Sequence, residues 1–343
     1  MSFDSEMTGK NIWVGGTGRS GTTLLYKLLR DHDDVFAFKD EMRFIVDSYG
    51  LKDLVDNLTH NFSTGRSKEA WLDFKELMLV KLDSRYSSPY AGFQFSSVFG
   101  DEYREIVNGF LDGLTRGSYS GNDYQSRVSF IRNFVGMLGF ALYRRGLIGD
   151  RVKKALVDIK NIEQPVVKYF PDRREIIDRS GSLVEKLFQI PMSNSGRAVW
   201  CEKTPHNLLC ADFLLELVPD SVFVHVYRDP RGVAQSFSKM AWASGDLLTA
   251  CQMVKDLYMS WFSLRDRIDP KRILEVRLES FSSDPVNNFN EVLSFAGLKS
   301  VDQLNHPVSS SRVDYWKDDL KDEDIALMNK ELAEVVEIMG YQI

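Results

Sequence analysis

The first apolar run of the chain is IWVGG, Ile12 to Gly16, short and ending in glycines, the pattern of a buried parallel strand. Directly after it, TTLLYKLLRD places Leu24, Leu25, Leu28 and Leu29 on one helical face between Thr22 and Asp31. VFAF, Val35 to Phe38, predicts a second strand, and Glu41 to Val46 the opening of a helix. The alternation returns later. AVWC, Ala198 to Cys201, predicts a strand that runs through EKTPHN into a helix over Leu208 to Val218. SVFVHVY, Ser221 to Tyr227, is the clearest strand, followed by a helix to about Ala241, with Asp229 as its cap and Pro230 at its first position. Leu247 to Ile268 reads as a long amphipathic helix and ILEV, Ile273 to Val276, as a strand. A last helix is predicted over Asp322 to Met339, with Gly340 as its stop.

Strands alternating with helices predict an α/β fold, a mostly parallel sheet flanked by helices. Between about residues 45 and 195 the pattern is mainly helical, interrupted by aromatic and glycine-serine loops at Ser87 to Gly100 and Gly117 to Ser126. This stretch is expected to be a large insertion over one edge of the sheet, within one domain spanning residues 1–343. A chain of 343 residues with 43% hydrophobic content supports such a core.

Charge and cysteines narrow the class. A net charge of −6 with no long basic run argues against nucleic acid as a partner. Three scattered cysteines, Cys201, Cys210 and Cys251, fit neither a disulfide framework nor a zinc site and suit a reducing compartment. No apolar run precedes the first strand, and FVGMLGFAL, Phe134 to Leu142, is far too short to span a bilayer. The expectation is a soluble, cytoplasmic protein.

The chemistry starts at VGGTGRSGTTLL, Val14 to Leu25, which has the spacing of a phosphate-binding loop without its lysine: Thr22 and Thr23 stand where nucleotide triphosphatases carry lysine and a hydroxyl residue. Amides of a glycine turn feeding a helix N-terminus bind an anion whatever the side chains are. Without the lysine a triphosphate is a poor ligand. A less charged anion needing no metal fits better, with Arg19 supplying a planar cation. YRDPRGVAQS, Tyr227 to Ser236, then puts Arg228 at a strand end and Ser236 two turns into the next helix. Strand carboxyl ends line the ligand crevice of open α/β sheets, so both loops point to one ligand carrying phosphates at two places.

RSGTT after the first strand, CEKTPHN, and VYRDPRGVAQS, in that order, resemble the signatures of the sulfotransferases, which use 3′-phosphoadenosine 5′-phosphosulfate. The resemblance implies that Gly18, Arg19, Ser20, Gly21, Thr22 and Thr23 hold the 5′-phosphosulfate, and Arg228 and Ser236 the 3′-phosphate. VRLESFSSDP, Val276 to Pro285, is similar to the family segment that borders the nucleotide, which brings in Arg277. VSSSRVDYWKDDL, Val308 to Leu320, resembles the closing segment near the C-terminus. Ser310 and Arg312 stand there in place of the arginine-lysine-glycine of cytosolic members.

Sulfuryl transfer needs in-line placement, charge stabilisation at the leaving oxygen and a base for the attacking hydroxyl. Arg19 and Lys203 are the candidates for stabilising charge. Two residues compete as base: Glu41, which resembles the glutamate of the tyrosylprotein and carbohydrate branch, and His206, which resembles the histidine of the cytosolic branch but stands one residue later, after a proline. Glu41 is the preferred choice, with Arg43 as a substrate or carboxylate-orienting partner. These features place the chain nearer the carbohydrate and tyrosylprotein branch. His225, mid-strand, reads as a core histidine; His32, His60 and His306 have no companions at metal spacing, so no metal is expected. The acceptor is expected to be a small molecule or carbohydrate hydroxyl, met on the side of the insertion. A P-loop kinase of a small molecule is the alternative, and a nucleotide-binding module without catalysis a third reading.

Overall fold

A computed structural model of the chain describes residues 9–84, 94–122, 130–152, 161–241, 243, 245–308, 316–317 and 320–342. Seven strands are numbered along it: β1 Asn11–Gly15, β2 Val35–Ala37, β3 Thr115–Asn122, β4 Asn161–Val167, β5 Val199–Lys203, β6 Ser221–Tyr227 and β7 Ile273–Arg277. Five of them form one sheet in the order β2-β5-β1-β6-β7, with every pairing parallel. This is the α/β, P-loop-type sheet flanked by helices that the alternation predicts. β3 and β4 pair antiparallel as a separate two-stranded ribbon.

Strand alternation assigns each apolar residue to one face of the sheet. Ile12 and Val14 of β1 join Val222 and Val224 of β6 beneath the helix Thr22–Arg30, whose Leu25, Leu28 and Leu29 cover that face. Trp13 and Phe223 point the other way. There the helix Arg173–Ser195 inserts Phe188, whose ring lies 6.1 Å from that of Trp13, 4.3 Å from Phe38 and 5.0 Å from Trp200. Helices Leu51–Leu58, Thr64–Glu76 and Tyr103–Gly113 complete that layer, so the residues after 45 share a core with the sheet.

Several elements differ from the sequence expectation. Glu41 to Val46 forms turns, because Leu51 N–H and Lys52 N–H return to the carbonyls of Phe44 and Ile45 and the helix starts only at Leu51. The strand expected at Ala198–Cys201 runs to Lys203, and Leu208 belongs to a 3-10 helix, Pro205–Cys210, ahead of the helix Ala211–Leu217. The last helix is broken at Leu332 into Asp322–Glu331 and Ala333–Ile338. The stretch 45–195 carries the β3–β4 ribbon besides its helices. Residues 87–93 and 123–126 of the aromatic and glycine-serine loops lie outside the described residues, as do Ser310 and Arg312.

Candidate active site

With β1 central, β5 on one side and β6 on the other, the carboxyl ends of these strands enclose a crevice where the connections diverge. Register puts Val14 beside Lys203, Gly15 beside His225, and Tyr227 beside Arg277. Lys203 and Arg228 therefore flank the loop that leaves β1.

The loop turns through left-handed backbone at Gly18 (φ +80°), Arg19 (φ +56°) and Gly21 (φ +103°). Only glycine takes the conformation of Gly21 without strain, and a Cβ there would also press on Leu278 at 2.7 Å. Left-handed residues leading into a helix N-terminus are the backbone conformation of an anion-binding nest. The amides of Thr22 and Thr23, in the first turn of their helix, have no acceptor within it. Ser20 Oγ is buried beside this nest with no hydrogen-bond partner among the described residues. An orphaned hydroxyl and unsatisfied amides fit an oxyanion of phosphate or sulfate type. Among the described residues no three His, Cys, Asp or Glu side chains are grouped as metal ligands.

Arg19 and Ser236, expected at two separate anion sites, touch. Arg19 Nε donates to Ser236 Oγ at 2.9 Å, and Arg228 Nη1 donates to the Arg19 carbonyl at 3.3 Å. The separation into two pockets is thus narrower than the sequence suggests, because the Arg19 side chain bridges them. Arg228 is buried, held at its carbonyl by Tyr258 Oη (3.0 Å) and packed so closely on Gly232 that any side chain there would collide with it. Asp229 accepts from the Arg231 amide as the helix cap, and its carboxylate makes a two-pronged ion pair with the Arg231 guanidinium, both groups nearly sealed from solvent. Arg277 stacks on Tyr341, 3.8 Å from the ring, and Tyr341 Oη donates to Glu279, which also accepts from the Asp229 amide. Nothing in the spacing of the sequence pointed to Tyr258, Glu279 or Tyr341; each acts through contacts more than 29 residues away in the chain.

On the β5 side, Lys203 Nζ donates to Glu41 Oε1 at 2.8 Å and lies 5.9 Å from the Tyr26 ring of the loop helix. Beneath the pair is Glu202, 1% exposed. Its carboxylate accepts from the Met42 amide (2.9 Å), Thr204 Oγ1 (2.6 Å) and Asn207 Nδ2 (2.6 Å), and Asn207 also donates to the Val14 carbonyl at 3.1 Å. Burial pushes the Glu202 carboxyl above its ordinary range, against the pull of those donors. Thr204, the residue before the 3-10 helix, spends its hydroxyl on Glu202 rather than on capping that helix. Glu202 was overlooked in the sequence because an acidic residue beside lysine looks solvated; its signal was position, the penultimate residue of a buried strand.

His206 is exposed and directed at Asp47, 3.9 Å from its carboxylate, while Arg43 Nε donates to the same carboxylate at 2.6 Å. Burial acts against the Asp47 charge, but His206 and Arg43 outweigh it and hold the carboxyl below its usual range. Arg43, expected to orient substrate or carboxylate, holds the Asp47 carboxylate. His225 is fully buried, with Nδ1 3.0 Å from Glu275 Oε1. Beside this site a cleft of about 560 Å³ is lined by Arg43, Tyr49, Leu77, Lys81, His206 and Leu209. A larger one, about 840 Å³, shares no residue with it and lies between the helices Tyr103–Gly113 and Arg173–Ser195.

Among solved structures the chain is similar to the sulfotransferase domain of the Synechococcus PCC 7002 olefin synthase, with 15% identity, a TM-score of 0.48 and coverage of 97% of this chain and 95% of that one. It is also similar to the sulfotransferase domain from the curacin biosynthetic pathway (15%, TM-score 0.45, 98% and 99%) and to sulfotransferase STF9 from Mycobacterium avium (12%, TM-score 0.42, 98% and 78%). No curated protein matches this chain significantly. The model of the Sulfotransferase family matches residues 154–303, the stretch that holds Lys203, Arg228, Ser236 and Arg277.

Proposed function

We propose that this protein is a sulfotransferase that moves a sulfuryl group from 3′-phosphoadenosine 5′-phosphosulfate to a hydroxyl of a small-molecule or carbohydrate acceptor in the cytoplasm. The carrying observation is the convergence of Arg19, Ser236 and Arg228 at the rim of a phosphate loop that has no lysine. A ligand with an anion at the loop and another at Arg228 matches it. The nest at Gly18 to Thr23 with Ser20 takes the 5′-phosphosulfate, and Arg228 and Ser236 take the 3′-phosphate, with Arg277 bordering the nucleotide. The donor supplies the sulfuryl group and a phosphate leaving group.

Glu41 accepts the proton of the attacking hydroxyl, and Lys203 and Arg19 stabilise charge at the transferring group and the leaving oxygen. Lys203 and Glu41 already lie in contact, so base and cation are positioned together. His206 faces Asp47, which favours Glu41 as the base. The cleft at Arg43, Leu77 and Lys81 supports the insertion at 45–195 as the acceptor side of a single domain, and its size suits a small molecule. The Glu41 arrangement keeps the chain nearer the carbohydrate and tyrosylprotein branch in this reading.

Calorimetric titration with adenosine 3′,5′-bisphosphate, beside ADP and magnesium-ATP, tests the assignment. Binding of the bisphosphate that is lost in Arg228→Ala supports it. Binding of magnesium-ATP without the bisphosphate would replace it with a small-molecule kinase.

A further inference from the structure

The β3–β4 ribbon carries the helix Phe130–Arg144 between its strands. Its side chains should be polar if water were its permanent surroundings. They are not. Phe134, Met137, Leu138 and Phe140 are each about half exposed or more (57%, 66%, 48% and 50%). At 100° per residue these four fall within one half of the helix circumference, and Arg144 and Arg145 end that same face. Leu147 and Val152 extend the exposed apolar surface beyond it. Arg144, Arg145 and Arg151 follow this face, with Asp150 the one acidic residue among residues 144–152, in a chain of net charge −6.

The body holds a matching receptor. The larger cleft, at the base of the ribbon, has an apolar floor of Ile106, Phe110 and Leu183 and bare backbone at Gly109 and Gly113. Its rim carries Glu102, Glu105 and Asp178, with two cations, Lys186 and Arg179, the latter tied to Glu175. A Cβ added at Gly109 meets nothing within 4 Å, which leaves room for an incoming helix. Both surfaces remain uncovered in one chain, with opposite charge on their margins.

We propose that this cleft receives the apolar helix of a second copy of this chain, giving a dimer by reciprocal exchange of arms. Each copy contributes one arm and one cleft, which closes the assembly with two-fold symmetry. Apolar burial drives the contact, and Arg144 and Arg145 against Glu102 and Glu105 set its orientation. A lipid surface would also take an apolar, basic helix. The acid-rimmed cleft in the same chain favours the second copy.

Sedimentation velocity on the full chain tests this with two variants that each leave one half intact. Met137→Asp/Phe140→Asp removes the arm surface. Gly109→Trp fills the cleft from an exposed position on a helix, with circular dichroism checking that the fold persists. The native chain is expected to sediment as a dimer and each variant as a monomer, the dissociation constant rising at least about tenfold. Mixing the two variants restores one of the two contacts, so a heterodimer weaker than the native dimer is expected. Arg144→Glu/Arg145→Glu should weaken the dimer and Glu102→Arg/Glu105→Arg should rescue it. A monomeric native chain, or a dimer indifferent to Gly109→Trp, overturns the proposal. So does binding of a monomeric native chain to phosphatidylglycerol-containing vesicles, which would assign the helix to lipid.

Discussion

Removing the Glu202 carboxylate should cost both stability and the geometry of the proposed base. Three donors converge on it, from Met42 N–H, Thr204 Oγ1 and Asn207 Nδ2, all in residues no more than 2% exposed. In Glu202→Ala the Thr204 hydroxyl can turn to another acceptor and Asn207 keeps its bond to the Val14 carbonyl. The Met42 amide is fixed by the backbone and stays orphaned. One rigid orphan and two partial losses, at about 1–3 kcal/mol for each unsatisfied buried group, sum to roughly 4 kcal/mol before any offset. The offset is the relief of burying a charge, whose cost shows in the raised pKa of this carboxyl. A net loss of about 3 kcal/mol remains, a large share of the roughly 5–15 kcal/mol that holds a typical fold together. Glu202→Gln should lose only about 1–2 kcal/mol, since its carbonyl still serves Met42 and Thr204 while its amide opposes that of Asn207. Urea unfolding followed by tryptophan fluorescence reads both values. Because Met42 is the neighbour of Glu41, kcat should fall with stability in the order native, Gln, Ala. An Ala variant within about 0.5 kcal/mol of native, the range of ordinary surface substitutions, would refute the structural role given to this carboxylate.

Other consequences follow from the same contacts. Lys203→Met should lower kcat about 10²- to 10³-fold if Lys203 stabilises the developing charge, while unfolding free energy hardly changes because the pair with Glu41 is partly solvated. Steady-state kinetics and urea titration separate the two effects. Gly232→Ala adds a methyl where the Arg228 guanidinium lies, so bisphosphate affinity should drop about tenfold with little change in Mg-free ADP binding, both measured by calorimetry. For Glu275, burial acts against the charge, but contacts from His225, Trp261 and Arg265 outweigh it and hold the carboxyl near about 2, against an ordinary 4.5. The stability this carboxylate contributes is fully present above 4.5 and is lost as pH falls from there towards 2. Glu275→Gln should therefore flatten the acid limb of stability against pH; an unchanged slope between native and variant would dismiss the assignment.

Much of the sheet was readable because its strands are nearly continuous apolar runs. SVFVHVY and IWVGG have no polar face to confuse their period, and DP and GTT mark the helix starts that follow. Strand ends were less legible. Lys203 closes β5 although its charge suggests a position past the strand, since the chain only has to bury the carbons before the ammonium. The turn at Glu41 to Val46 was hidden because Met42 and Ile45 stand three apart, as on a helix face, while Met42, Phe44 and Ile45 all fill the core from a turn. The ribbon β3–β4 was missed because TRGSYSGN is polar with glycines and looks like loop.

The sequence by itself determined the order of strand, loop and helix, the glycine loop without a lysine, and the placing of Arg19, Lys203, Arg228 and Ser236 at or just beyond strand ends. These are local properties, written in spacing and residue type. Tertiary structure alone decided that Arg19 reaches Ser236 across 217 positions of the chain, that Lys203 meets Glu41, and that Glu202 lies beneath them as an anchor. It also left Phe134, Met137, Leu138 and Phe140 exposed on one helix. Such pairings depend on which strands become neighbours in the sheet, and strand order arises from the packing of both faces at once, a sum over distant contacts that no single stretch of sequence contains.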